Sequence, residues 1–392
     1  MAIEVLLSGD RIRVDQAVFA ALLDNSVASA YAAYRNAVAS SSITFSDLVF
    51  LARKGEIPWV LFFAPLPVVE AQIRIKTDKL LGGLTKENFS VNSRDKVMLR
   101  DVELIVKDLL RKQALLKQKD PTLEENRIVG LLRRGGRSVE EDADKLMRAL
   151  GLSGSAIRSA RTKKDALELL IARLEANQVL VSRSVNNFMP QRIRGVKNFS
   201  GMTIKDPKVP YVFLSGGDHG DYQEPTGRMV FTLALLSVLV ARRIFAPVTY
   251  DGSSAGTDVR REYDVVGAML MPKQDLRGAA LDSLDGVKAA ADLFKVTPSA
   301  VAVRAMRLGL ITPADSSAHL KELRHEYARR EKTPARQPKP VNAVRTYNGR
   351  ELSRRMLDAL DAGRISPREF CRAVCLRHIK PHEIEDFRGA VR

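Results

Sequence analysis

Arg228-Met-Val-Phe-Thr-Leu-Ala-Leu-Leu-Ser-Val-Leu-Val-Ala-Arg-Arg-Ile244 is the stretch on which the fold turns. From Met229 to Ala241 it carries no charge, and its apolar residues cover every face of a helix. That pattern predicts a helix enclosed by core, not one with a wet side. It is also too short to cross a bilayer, which takes about 20 apolar residues. Ile57–Val69, the other strongly apolar stretch, is broken by Pro58, Pro65 and Pro67. No membrane association is expected.

Upstream of this helix, Gln178–Arg183 and Pro210–Leu214 are β-branched or aromatic runs, and the basic Pro190–Phe199 alternates like a half-buried strand. Together they predict a small sheet. Downstream, Asp258–Met271 reads as a helix stopped by Pro272. Leu284–Phe294 then leads through Lys295-Val296 to Thr297-Pro298, an N-cap followed by proline at the first helical position. Ser299–Leu308 follows and ends at Gly309, completing a helix-turn-helix pattern. Arg304 and Arg307 are the basic residues on its second helix.

Further out the chain is helical. Asp95–Lys119, Glu140–Leu150 and Lys164–Ala176 are amphipathic, and Arg133-Arg134-Gly-Gly-Arg137 forms a basic loop between the first two. The first 55 residues predict short helices at Asp15–Leu23, Val27–Arg35 and Phe45–Lys54, the last capped by Thr44. The turn Asp24-Asn25-Ser26 makes the first two a helix-turn-helix candidate, with Arg35 as its basic residue. Glu331–Val341 is a Pro-rich basic linker. Beyond it, Gly349–Ala362 reads as a helix carrying Arg354 and Arg355, and Ser366-Pro-Arg-Glu369 has the Ser and Glu of a capping box. The expected fold class is α+β, predominantly helical.

Sixty-three Lys plus Arg against 46 Asp plus Glu give a net charge of +17. Such an excess favours a polyanionic partner, and double-stranded DNA is the expected one. Two cysteines in 392 residues point to a reducing compartment. With an N-terminus that lacks a basic-then-apolar layout, they make a cytoplasmic location the expectation.

Four blocks in order, VPYVFLSGGD, RMVFTLALLSVLVAR, REYDVVGAMLMPKQDL and DGVKAAADLFKVTPSAVAVRAMRLGLI, resemble the ImmA/IrrE family. Phe231-Thr232-Leu233-Ala234, Met269-Leu270-Met271-Pro272 and Val301–Ile311 carry the likeness. Ile43–Pro67 and Gly349–Val374 are similar to flanking parts of its long, helix-turn-helix-fused members. The resemblance implies a strand, a helix bearing a zinc-binding H-E-x-x-H, a helix supplying an acidic third ligand, and a helix-turn-helix segment. It implies a degenerate zincin-like domain with a small sheet, flanked by helix-turn-helix-like modules. The implied division is 1–70, a helical N-terminal module; 71–176, a helical connecting region; 177–280, the peptidase-like domain; 281–330, a helix-turn-helix-like subdomain; 331–342, the linker; and 343–392, a C-terminal helical module.

The sequence departs from the family at its chemical centre. Where H-E-x-x-H belongs, it reads Leu235-Leu236-Ser237-Val238-Leu239. Zinc hydrolysis needs two imidazoles one turn apart and a carboxylate base between them. Glu262 is the remnant of the third ligand, and His219, between Asp218 and Asp221, is a weak metal candidate. Cys371, Cys375, His378 and His382 have ligand-like spacing, but Pro381 interrupts it. No cofactor is expected, and the enzyme is expected to be dead.

Three functions follow as expectations. The leading one is a DNA-binding transcriptional regulator of a phage or mobile element, with Arg35, Arg133, Arg134, Arg137, Arg304, Arg307, Arg354 and Arg355 as candidate contacts. The second is a non-catalytic module that binds a repressor, another protein or a second copy of itself. The third is a zinc protease with relocated ligands. In all but the third, the old cleft should be closed by apolar side chains or covered by a partner.

Overall fold

A computed structural model describes residues 2–24, 26–81, 99–136, 138–193, 199–216, 224–249, 261–329 and 338–392. Their fold is α+β, mostly helical, with two small mixed sheets. Two compact units share them. One holds the described residues within Met1–Gly83, Val97–Leu110 and Pro190–Val196; the other holds those within Arg111–Met189 and Lys197–Arg392.

The first unit opens with a hairpin where helices were expected. β1 (Ala2–Leu7) pairs antiparallel with β2 (Asp10–Asp15), and Leu7 faces Asp10 across the turn. Ser8 and Gly9 both have positive φ, 48° and 100°. That is the geometry a two-residue hairpin turn requires for the right-handed strand twist. Next come α1 (Gln16–Asp24), a 3₁₀ turn at Val27–Ala30, α2 (Ala32–Ser40) and β3 (Ser42–Thr44), which pairs parallel to β1. The helix expected over Val27–Arg35 is thus broken: Tyr31 is extended, with ψ 148°. α3 (Phe45–Lys54) begins where expected, with the Thr44 side chain accepting from the Asp47 N–H. α4 (Leu66–Leu81) and the first half of α5 (Leu99–Lys119) complete the unit. Ile3, Val5, Phe19, Leu23, Leu48 and Phe62 are buried together at its centre.

The second unit is built on a four-stranded sheet of order β4-β6-β5-β7. α6 (Val139–Leu150), α7 (Gly154–Arg158) and α8 (Lys163–Glu175) lead into β4 (Leu180–Arg183). β6 (Tyr211–Leu214) and β4 are the strands expected from the two apolar runs, and they run parallel. β5 (Phe199–Ile204) and β7 (Pro247–Thr249) pair antiparallel beyond it and were not expected. Residues 190–193 of the supposed basic strand are not in a strand, and 194–198 lie outside the described residues. Phe199 begins β5 instead. β7 opens on proline at the sheet edge, where no ladder donor is lost.

α9 (Thr226–Arg242) packs on β5 and β6, and α10 (Arg261–Leu270) packs on α9 and α6. β5 admits α9 closely at Gly201, beside a register shift. A Cβ there would lie 2.5 Å from the Phe213 carbonyl oxygen and 2.9 Å from Leu236 Cδ1. Gly201→Ala should therefore destabilise the chain by about 1–3 kcal/mol, read as a lowered thermal midpoint.

α11 (Lys273–Arg277) is followed by α12 (Leu284–Leu293) and α13 (Pro298–Arg307), joined as the sequence indicates. Thr297 caps α13 by accepting from Ala300 N–H, and Gly309 turns the chain at φ 69°. The following helices are α14 (Pro313–Arg329), α15 (Pro340–Asn348), α16 (Arg350–Asp361), α17 (Pro367–Ala373) and α18 (Ile384–Val391). α15 was not expected, and it takes up the last residues of the basic linker; 331–337 lie outside the described residues. α15 and α16 contact β4, and Gly349 between them has φ 83°. A Cβ at Gly349 would come within 2.4 Å of the Val181 carbonyl oxygen.

Candidate functional site

The residues at which the resemblance would place H-E-x-x-H, Leu235 to Leu239, lie in the middle of α9. Leu235 is 2% exposed, and Leu236 and Leu239 are fully buried. Their surroundings include Leu233, Val238, Val265, Val266 and Met269 in one apolar cluster. The three leucines are thus enclosed by the chain's own side chains. The sequence explains it, since a helix apolar on all faces is stable only when wrapped.

Glu262, the remaining carboxylate, is engaged elsewhere. Its Oε1 lies 3.0 Å from Arg242 Nε. Arg242 follows Leu235 and Leu239 at helical spacings of seven and three, which puts all three on one stripe of α9. A guanidinium at the end of that stripe supplies Glu262 with its positive partner. Three leucines and a carboxylate already paired to arginine do not fit a zinc ion.

The neighbouring charges are also paired within the chain. Asp142, buried at the start of α6, accepts from Arg261 Nε at 2.9 Å and from the Gly136 N–H at 2.6 Å. Arg261 also donates to the carbonyls of Gly136 and Ser138. On α13, Arg307 donates to Asp264 Oδ2 at 2.8 Å, and Arg304 lies 3.7 Å from Asp264 Oδ1.

Arg304 is only 6% exposed, and burial lowers its pKa below the ordinary arginine value. Gly267 leaves room for it, because a Cβ there would sit 2.8 Å from Arg304 Cδ. Arg304 and Arg307, the candidate contacts on the second helix of the pair, thus both reach Asp264 on α10.

The other sequence candidates separate into engaged and free cations. Arg354 is held by Glu351 and Asp358, and Arg355 by Glu351 and Asp120. Arg35 is exposed and donates to the Ala30 carbonyl. Arg133 and Arg134 are exposed, with no acidic partner among the described residues. Arg137 and His219, with Asp218 and Asp221, lie outside the described residues.

Sequence reasoning passed over Arg368 and Arg372 on α17 and Arg377 and Lys380 in the loop after it, all four exposed. Their signal was present: residues 363–380 contain five Arg or Lys and one Glu.

Cys371 and Cys375 are buried free thiols, and burial raises both pKa values. His378 packs on Phe188 with ring centroids 4.9 Å apart; burial and then the Lys112 charge lower its pKa. No cluster of three or more His, Cys, Asp or Glu side chains among the described residues could hold a metal.

No helix among the described residues is long and apolar enough to cross a membrane. Comparison of the chain with family models, with curated proteins and with solved structures finds no match.

Proposed function

We propose that this chain is a DNA-associated regulatory protein whose second unit retains a peptidase-like framework without zinc chemistry. The observation that carries the DNA reading is charge: a net +17, with exposed arginines such as Arg133 and Arg134 left unneutralised. Nucleic-acid phosphates are the natural complement of such a surface, and binding would release their condensed counterions. The loss of metal chemistry is supported by the buried leucines of α9 and by the Arg242–Glu262 pair. On this reading the helix-turn-helix-like segment α12–α13 is a structural support, with its arginines committed to Asp264.

The test is a titration of duplex binding against salt. The protein should bind mixed-sequence duplex with micromolar to submicromolar affinity at about 50 mM salt, weakening at least tenfold by about 200 mM. Absence of binding at the lower salt would remove the DNA reading.

A second reading, a protein-interaction module, is favoured by a separate observation. Ten of the twelve exposed large hydrophobic residues among the described residues belong to the first unit, Phe50, Trp59, Val60 and Ile75 among them. Exposed apolar residues concentrated in this way mark contact surfaces. Pull-down after nuclease treatment separates the readings, because a protein partner survives the nuclease and a nucleic-acid tether does not.

A further inference from the structure

Resting on the DNA reading above, we propose that the outer face of α17 and the loop after it seat the duplex phosphates. Arg368, Arg372, Arg377 and Lys380 are the contacting cations.

The first support is the division between inner and outer faces. Phe370, Cys371, Val374 and Cys375 are buried, and Phe370 packs on Phe387 with ring centroids 6.0 Å apart. Asn348 Nδ2 donates to the Val374 carbonyl at 3.1 Å, fixing the end of the segment from beneath. Arg368 and Arg372, one turn apart on α17, fall on the opposite, exposed side. The cations therefore stand on a backbone already fastened to the core, and little ordering remains to be done on binding.

The second support is what these cations lack. Several other arginines of the C-terminal helices are tied down. Arg345 donates to the Ala390 carbonyl, Arg354 and Arg355 are held by Glu351 with other acids, and Arg388 is held by Asp361. The four cations proposed here have no ion-pair partner among the described residues, and Glu369 is the one acidic residue between Gly363 and Lys380. A local excess held on one rigid face attracts a polyanion far better than the same charge scattered.

The third support is backbone geometry. Leu376 and Arg377 have φ values of 50° and 64°. Side chains with a Cβ avoid this left-handed region. The turn is held by the Arg377 N–H donating to the Cys371 carbonyl at 2.8 Å and the His378 N–H donating to the Cys375 carbonyl at 2.9 Å. It reverses the chain straight after α17, so that Arg377 and Lys380 follow the helix cations as exposed residues instead of continuing into the core.

The wild-type chain and the variant R368A/R372A/R377A/K380A are compared by fluorescence anisotropy with a labelled duplex. The slope of log K against log salt should become shallower by about 3–4 in the variant, because each phosphate contact contributes about 0.9. The conservative variant R368K/R372K/R377K should keep the wild-type slope, and circular dichroism should report all three as folded. A folded alanine variant with an unchanged slope would overturn this surface while leaving the DNA reading standing. No salt-dependent duplex binding by the wild type would overturn both. Poly-L-glutamate bound as tightly as duplex at equal charge would assign the surface to an acidic protein.

Discussion

The triple variant L235H/L236E/L239H, which rewrites the zinc motif into α9, is expected to lose its fold and gain no zinc. Each of the three leucines is essentially fully buried. Truncating one buried leucine costs about 2–5 kcal/mol. Here polar groups replace all three in an apolar cluster with no partners for them, which adds about 1–3 kcal/mol for each unsatisfied group. The sum exceeds the roughly 5–15 kcal/mol by which a domain is stable. The rebuilt motif would also lack its third ligand, since Glu262 is held by Arg242 at 3.0 Å. The expected result is loss of the cooperative thermal transition and less than about a tenth of an equivalent of zinc by elemental analysis. A folded, stoichiometrically metallated triple variant would show that the leucines are not core.

A second large effect should be visible in the pH dependence of stability. Glu175, at the end of α8, is 5% exposed, and burial pushes its pKa up to about 7 from an ordinary 4.5. The nearby Glu351 carboxylate adds to the rise. The backbone N–H groups of Glu351 and Arg350, with the Arg183 charge, oppose it. Below about 4.5 both the folded and the unfolded chain hold the proton. Between 4.5 and 7 the folded chain keeps a proton that the unfolded chain releases, so stability falls as pH rises through that window. Above about 7 the loss is complete and levels off. The 2.5-unit difference between those values corresponds to about 3 kcal/mol. Glu175→Gln keeps the shape and removes the charge. It should be more stable than wild type by about that amount at pH 8, and nearly equal to it at pH 4.5. Denaturant midpoints across this range test it, and parallel profiles for the two proteins would count against it.

Local signals carried most of the helices. Thr44, Thr297 and Ser366 each cap the helix that the sequence assigned to them, because capping is decided within four residues. The runs at β4 and β6 were legible for the same reason. The amino-terminal hairpin was not, although Ile3, Val5, Ile12 and Val14 alternate about Ser8-Gly9. The helical spacing that follows outweighed a weak turn dipeptide.

The candidate site was legible in one respect, the absence of metal-ligand side chains on the middle of α9, which needs only the identities of residues 235–239. Charge pairing was not legible. Arg304 looks available on its own helix, and only the fold brings it to Asp264 on α10. Arg355 likewise meets Asp120 across most of the chain. Ion pairs distant in sequence leave no periodic trace, so exposed and committed cations look alike until the fold is known.

Lys112 has a temporal consequence. Its Nζ donates to Asn348 Oδ1 at 2.8 Å and lies 4.4 Å from the centre of the Tyr347 ring, and all three residues are buried. The contact joins positions 236 residues apart, and Ser182 on β4 likewise bonds the Tyr347 carbonyl. During synthesis the sheet and its helices leave the ribosome long before α15. Throughout that interval the buried ammonium lacks Asn348 and the Tyr347 ring, and β4 lacks its contacts with α15 and α16. A nascent chain in this condition can be compact but not yet closed, with an unpaired strand side open to neighbouring chains. The final helices therefore act as a late closure of the unit, and expression yield should depend on how quickly they follow.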